Sequence, residues 1–105
     1  GLKNDPNHHN AKKYLKNGFG PVLSFELKGG KENGMKLVDN LLLAKHTANV
    51  GDVKTMVIQP AASTHQQLTA EEQIAAGVLP GLIRVSAGLE HIDDIIADFD
   101  QALKK

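Results

Sequence analysis

The chain has 105 residues, of which 41% are hydrophobic, and its twelve basic and twelve acidic residues give a formal net charge of zero. This length predicts one small domain with a single core, shorter than a complete multidomain enzyme. The balanced charge and an aromatic content of 4% argue against a nucleic-acid partner. The absence of cysteine excludes disulfides and thiolate metal sites and favours a cytoplasmic origin. No apolar run approaches the roughly 20 residues of a membrane span, and no signal peptide is visible.

The first 21 residues are rich in turn-forming types and predict a linker with a short helix near Ala11–Lys16. Gly18, Gly20 and Pro21 end that helix. A strand over Val22–Lys28 follows, with apolar and polar side chains alternating between its faces. The pattern divides the chain into a linker with a short helix, residues 1–21, and one α/β domain, residues 22–105. Because the sequence starts at glycine rather than methionine, we expect it to be a piece of a larger protein.

Gly29–Gly30 predicts a turn, and the apolar residues after it fall at helical spacing over Lys31–Leu43. Ala44–Val50 is expected to be short and extended. The run Val53–Gln59 is apolar on both faces, which is typical of an interior strand, and Pro60 ends it.

Thr69 and Glu72 have the spacing of a capping box, so they predict the start of a short helix. A strand over Leu82–Ala87 and a final amphipathic helix complete the chain. The acidic residues of that helix are predicted to form its solvated face: Asp93, Asp94, Asp98 and Asp100.

The order of these elements predicts an α/β fold, an open sandwich of a small, mainly antiparallel four-stranded sheet with helices on one face. The other face of such a sheet would be bare. It would display Ser24, Glu26, Arg84 and Ser86.

Arg84 is the residue of this chain that most needs an explanation, because it interrupts a short apolar strand. A guanidinium stays charged at physiological pH and costs several kcal/mol, to order of magnitude, to desolvate without an anion. The anion is either a neighbouring carboxylate, for example Glu26, or the carboxylate of a ligand. The residues alone leave both interpretations open.

The segment Leu82–Glu90 resembles the strand "LIR-x-S-x-G-[LI]-E" at the C-terminal end of the fold-type I, pyridoxal-phosphate-dependent enzymes of cysteine and methionine metabolism. Within them it is most similar to the O-acetylhomoserine sulfhydrylases, also called homocysteine synthases. Upstream likenesses occur in the same order, at residues 12–20, 22–25, 46–52 and 59–68. The resemblance covers nearly the whole chain, and it implies the C-terminal domain of a larger enzyme.

The resemblance also implies roles for individual residues. Arg84 aligns with the family arginine that binds the substrate α-carboxylate through two parallel hydrogen bonds. Asn49 and Val50 stand where relatives place a side chain or a backbone N–H beside that carboxylate. Thr64 and His65 lie in a partial match to the family pattern "HPA-x-T-T-H" and are expected at a pocket or interface, with a backbone-bonded surface histidine the more ordinary interpretation of His65.

The family lysine that binds pyridoxal phosphate belongs to the large domain, so we expect no catalytic, cofactor-binding or metal-binding residue in this chain, and no activity from it alone. The resemblance implies a cytoplasmic homotetramer that makes homocysteine or methionine from O-acetyl-L-homoserine and sulfide or a thiol. Its expected partners are an amino-acid substrate and the large domain. The alternatives are a methionine γ-lyase, a cystathionine γ-synthase or lyase, and a free-standing α/β interaction domain without chemistry.

Overall fold

The computed structural model describes residues 1–47, 51–63 and 67–105. The secondary structure in chain order is α1 His8–Tyr14, β1 Val22–Glu26, α2 Gly30–Asn40, β2 Lys45–His46, β3 Met56–Ile58, a 3₁₀ turn at Pro60–Ala62, α3 Ala70–Ala75, β4 Leu82–Ser86 and α4 Ile92–Leu103. Within these ranges no helix is long and apolar enough to cross a membrane.

The four strands form one sheet in the order β1-β4-β3-β2. The central strand β4 is antiparallel to both β1 and β3, whereas β2 is parallel to β3. The α/β class and the four strands are therefore as predicted, but the prediction of a mainly antiparallel sheet is wrong, because the sheet is mixed.

Helices α2 and α4 cover one face of the sheet and enclose the core there. The core contains Ile83 and Val85 of β4 together with Val57 of β3, all at most 4% exposed. The helices and flanking segments contribute the remaining members, which are Leu37, Val38, Ala44 and Ala102, with Phe25, Leu27, Leu41 and Phe99 packed against them. Burial of these apolar side chains is the main stabilising contribution to the domain.

Helix α2 ends at Asn40 rather than at Leu43, because a carboxylate from α4 takes the backbone groups that would have continued it. The Asp98 oxygens accept hydrogen bonds from the backbone N–H of Leu42, Leu43 and Ala44 at 2.7–2.9 Å. Asp98 is only 6% exposed. The prediction that Asp98 belongs to the solvated face of α4 is therefore wrong.

The protonation of Asp98 reflects two opposing effects. Burial raises the pKa of its carboxyl group, but hydrogen bonds from the three backbone N–H groups and from Gln101 favour the charged form and outweigh burial, so the pKa lies below its ordinary value. Asp98 is therefore an ionised group at neutral pH, and it joins α4 to the segment that leads into β2.

Several predicted boundaries shift by a few residues. α1 begins before the predicted Ala11, and β1 ends before the predicted Lys28. β3 is shorter than predicted, since Val53 is 62% exposed and does not join the ladder. The capping box at α3 is confirmed in its main contact, because the Thr69 hydroxyl accepts a hydrogen bond from the Glu72 backbone N–H at 3.2 Å.

We expect Asp98→Asn to lower the free energy of unfolding by about 1–3 kcal/mol at pH 7, because an amide offers one acceptor oxygen to three backbone donors. Since the folded-state pKa of Asp98 is depressed, its stabilisation is present above the unfolded pKa and is lost as the pH falls through the folded pKa. Urea unfolding at pH 7 and in acid should thus show a difference between the two proteins that shrinks at low pH. Asp39→Asn, at an exposed site on α2, should stay within about 0.5 kcal/mol.

Candidate functional site

Arg84 lies at the middle of the central strand, which fixes its position from both sides. Its strand neighbours are Ser24 on β1 and Ile58 on β3. Because directly paired residues project from the same face, these three form one cross-strand row on the face opposite to α2 and α4. The Arg84 side chain is partly buried. Its backbone is thus held by two ladders while its guanidinium projects from the face that the core does not use.

This face was predicted to be bare, and for one half of it that prediction is wrong. Ser86 of β4 is 2% exposed, and its partner Met56 of β3 is 4% exposed. Ile58 beside Arg84 is 2% exposed. The β1 half remains open, since Ser24 and Glu26 are exposed. Arg84 therefore lies at the boundary between a covered and an open half of the same sheet face.

A cavity of about 840 Å³ opens at this boundary. Residues of the predicted linker form one side of it, including Leu2, Asp5 and Phe19, while Ser24, Leu82 and Arg84 form the sheet side. Arg84 is the one arginine or lysine among the described residues that line the cavity. The lining is mostly apolar but also includes the Asp5 carboxylate. The planar fork of the Arg84 guanidinium can make two parallel hydrogen bonds to the two oxygens of a carboxylate, either that of a ligand or a neighbouring one.

A second polar cluster, not predicted from the sequence, contains Gly88 and Glu90, which follow β4, and Thr55, which precedes β3. The Glu90 carboxylate accepts hydrogen bonds from the Thr55 backbone N–H at 2.9–3.0 Å and from the Thr55 hydroxyl at 2.8 Å. The same hydroxyl accepts from the Gly88 backbone N–H at 2.9 Å. A side chain on Gly88 would collide with the backbone of Val53 and Lys54. This cluster fixes the start of β3 against the turn after β4.

The negative charge of Glu90 strengthens this cluster, which we call the Glu90 clamp. Hydrogen bonding from the Thr55 backbone lowers the pKa of the Glu90 carboxyl group, and this effect outweighs the increase caused by desolvation. The clue in the sequence was the period of two, since Arg84, Ser86, Gly88 and Glu90 occupy alternate positions.

The other predicted site residues, Asn49, Val50, Thr64 and His65, lie outside the described residues. Their roles stay predictions. The two segments that precede these stretches approach each other, however, because His46 Nε2 is 3.4 Å from Ser63 Oγ. The structure therefore brings the end of β2 close to the end of the 3₁₀ turn.

Gln59, which stands where the family pattern has histidine, is a structural residue. It is 1% exposed, and its side-chain amide donates to the carbonyls of Lys31 and Pro80 at 2.8 and 3.1 Å. Among the described residues no group of three or more His, Cys, Asp or Glu side chains could hold a metal ion.

Comparison with known proteins adds the decisive observation. The model of the family described as "Cys/Met metabolism PLP-dependent enzyme" matches residues 1–104. The chain belongs to this family. Its relatives include a homocysteine synthase of Schizosaccharomyces pombe, 62% identical over 104 residues that cover 99% of this chain and 24% of that protein. An L-methionine γ-lyase of Fusobacterium nucleatum is 49% identical over 105 residues, covering 100% of this chain and 26% of that protein.

A crystal structure from Campylobacter jejuni shares the fold with a TM-score of 0.88 and 41% identity, covering 99% of this chain and 25% of that one. It is described as an O-acetylhomoserine (thiol)-lyase and contains N'-pyridoxyl-lysine-5'-monophosphate. The chain therefore spans about a quarter of the length of the relatives it matches.

The residues of this chain do not fit the covalent attachment of pyridoxal phosphate. Every lysine lies within the described ranges and is exposed, whereas a lysine that forms a Schiff base is activated by desolvation or by a cationic neighbour. The turn before α2 is not a phosphate loop either, since the Asn33 side chain fills the space beside Gly29 and donates to the Lys28 carbonyl at 2.8 Å. The cofactor of this family is thus held by a region that these residues do not include.

We expect Glu90→Gln to destabilise the domain by about 1–3 kcal/mol, because the amide replaces one of the two acceptor oxygens with a donor that faces the donors of Thr55. The free energy of unfolding in urea measures this loss. Glu71→Gln, on the exposed first turn of α3, provides the matched control and should change stability by no more than about 0.5 kcal/mol. Equal stability of the two variants would contradict the clamp.

Proposed function

We propose that this chain is the C-terminal, substrate-orienting domain of a PLP-dependent O-acetylhomoserine sulfhydrylase. The enzyme would replace the acetate of O-acetyl-L-homoserine with sulfide or a thiol and so make homocysteine or methionine. The observation that carries the proposal is the position of Arg84, in the central strand and on the wall of a cavity outside the core, within a chain that belongs to this enzyme family.

Arg84 would bind the α-carboxylate of the substrate. The two ladders of β4 fix its backbone, and its planar guanidinium can offer two parallel N–H donors to one carboxylate. A carboxylate held at two oxygens cannot rotate, and the remaining bonds of the amino acid then have a defined direction relative to the reacting groups. Orientation of this kind can supply several kcal/mol of barrier lowering, to order of magnitude.

The rest of the reaction would use groups outside this chain. Pyridoxal phosphate supplies the electron-withdrawing chemistry when it is bound by the larger domain. Asn49 and Val50 would add contacts to the carboxylate, and Thr64 and His65 would lie at the pocket or the domain interface. A cytoplasmic location and a homo-oligomeric state are proposed on the family resemblance alone.

A γ-lyase is the second candidate, because the relative from Fusobacterium nucleatum is named as one and is 49% identical. The proposal favours sulfhydrylation, since the homocysteine synthase of Schizosaccharomyces pombe is more similar, at 62% identity. A cystathionine enzyme would use the same arginine. A free-standing binding domain is the least favoured interpretation, because residues 1–104 match the model of an enzyme family.

The test is an assay of the full-length enzyme that contains this chain. With O-acetyl-L-homoserine and sulfide we expect formation of homocysteine, at a kcat/KM well above that for cleavage of methionine to methanethiol. The isolated 105-residue chain should be inactive with either substrate, because it lacks the cofactor lysine. Faster cleavage of methionine than sulfhydrylation would assign the enzyme to the γ-lyases instead.

In the full-length enzyme, Arg84→Ala should cost about 2–5 kcal/mol of transition-state stabilisation, because it leaves the substrate carboxylate without its cation in a partly dry site. Arg84→Lys should recover only part of this, since an ammonium cannot make the fork. Steady-state kinetics give the kcat/KM values, and thermal unfolding gives the stability of each variant. A lowered melting temperature with kcat/KM within a few-fold of wild type would show instead that Arg84 is a scaffold residue.

A further inference from the structure

Ser86 occupies the next position after Arg84 on the same face of β4. It pairs with Met56 of β3 and Val22 of β1, so it belongs to the adjacent cross-strand row. Two residues of a strand span about 7 Å, which places the two side chains side by side on this face. Ser86 is 2% exposed. A bound substrate would therefore not reach it, and any effect of Ser86 on the site must pass through another group.

That group is the backbone of Gly51. The Gly51 N–H donates to the Ser86 hydroxyl oxygen at 3.2 Å, across 35 residues of sequence. Because Ser86 projects from the Arg84 face, this contact holds the Gly51 backbone against the covered half of that face, one row along β4 from Arg84. Gly51 has a φ of +79°, a conformation that favours glycine.

The segment that starts at Gly51 is fixed at its other end as well. The Leu89 backbone N–H donates to the Val53 carbonyl at 2.7 Å. The Glu90 carboxylate then holds both donors of Thr55. Residues 51–55 are thus fastened to residues 86–90 at successive points, and Ser86 is the contact nearest to Arg84.

We propose that Ser86 is a positioning residue, whose buried hydroxyl holds the Gly51 backbone as a wall of the carboxylate site beside Arg84. This proposal rests on the proposed function. The wall limits the orientations that a carboxylate on Arg84 can take, so loss of the hydroxyl widens the site without removing its charge. The expected consequence is weaker and less well oriented binding of the amino acid, with the Arg84 backbone unmoved.

The test compares two hydroxyl deletions in the full-length holoenzyme. Ser86→Ala removes the acceptor for Gly51, and Thr69→Ala removes the acceptor for Glu72, a contact of the same type and the same length of 3.2 Å at the start of α3. Misplacement of a bound substrate by about 1 Å can cost up to a hundredfold in rate. We expect Ser86→Ala to lower kcat/KM for O-acetyl-L-homoserine about tenfold, mostly through KM, and Thr69→Ala to change it less than twofold at a comparable loss of melting temperature.

A double variant separates positioning from general destabilisation. If Ser86 acts through the arginine site, its deletion should reduce kcat/KM much less in an Arg84→Lys background than in the wild type. Ser86→Thr, which keeps the hydroxyl, should restore most of the KM. If Ser86→Ala does not fold, Ser86→Cys fills a similar volume with a weaker acceptor and carries the same expectations.

Two outcomes would overturn the proposal. In the first, Ser86→Ala has the same kcat/KM as Thr69→Ala. In the second, the factor by which kcat/KM falls in the double variant equals the product of the factors for Ser86→Ala and Arg84→Lys alone. Either result, together with impaired kinetics of Arg84→Lys, would leave the proposed function intact. Normal kinetics of Arg84→Lys would overturn the proposed function itself, and the role of Ser86 with it.

Discussion

The structure depends on one constraint, which is the central position of β4. This strand has a neighbouring strand along each edge, and its side chains face a different environment on each side of the sheet. Its edges pair with β1 and β3. Its odd-numbered residues, Ile83 and Val85, enter the core beneath α2 and α4. Its even-numbered residues, Arg84 and Ser86, therefore have no place in that core and project to the other face. The polarity of the site follows from the same alternation that builds the core.

Two carboxylates, one buried and one partly buried, form a second level of organisation that builds on the first. Asp98 and Glu90 lie on or just before α4, and each accepts hydrogen bonds from a distant stretch of backbone. One holds the approach to β2 and the other holds the start of β3. The strand β2 has two residues, and the Asp98 contacts fix the backbone immediately before it. One acidic residue of α4, Asp98, has here become an internal anchor for a loop, whereas Asp93, Asp94 and Asp100 stay exposed.

Local patterns predicted much of the fold, and long-range contacts explain what they missed. The apolar spacing found α4, and the pair Thr69 and Glu72 found the start of α3, because helix periodicity and capping act over a few residues. The end of α2 and the burial of Asp98 depend on contacts across 54–56 residues, which no local pattern encodes. At the site, alternation and family likeness identified Arg84, whereas the roles of Ser86 and Glu90 required knowledge of which backbone they meet.

The strand order also determines when the domain can form as the polypeptide is synthesised. β1 is made first but pairs with β4, some 60 residues later, and β3 pairs with β4 as well. Closing so long a loop costs conformational entropy before any ladder contact offsets it. The sheet therefore cannot assemble until residues 82–86 have left the ribosome, and until then neither β1 nor β3 has its antiparallel partner. The strand that carries Arg84 is thus also the one that permits the domain to fold.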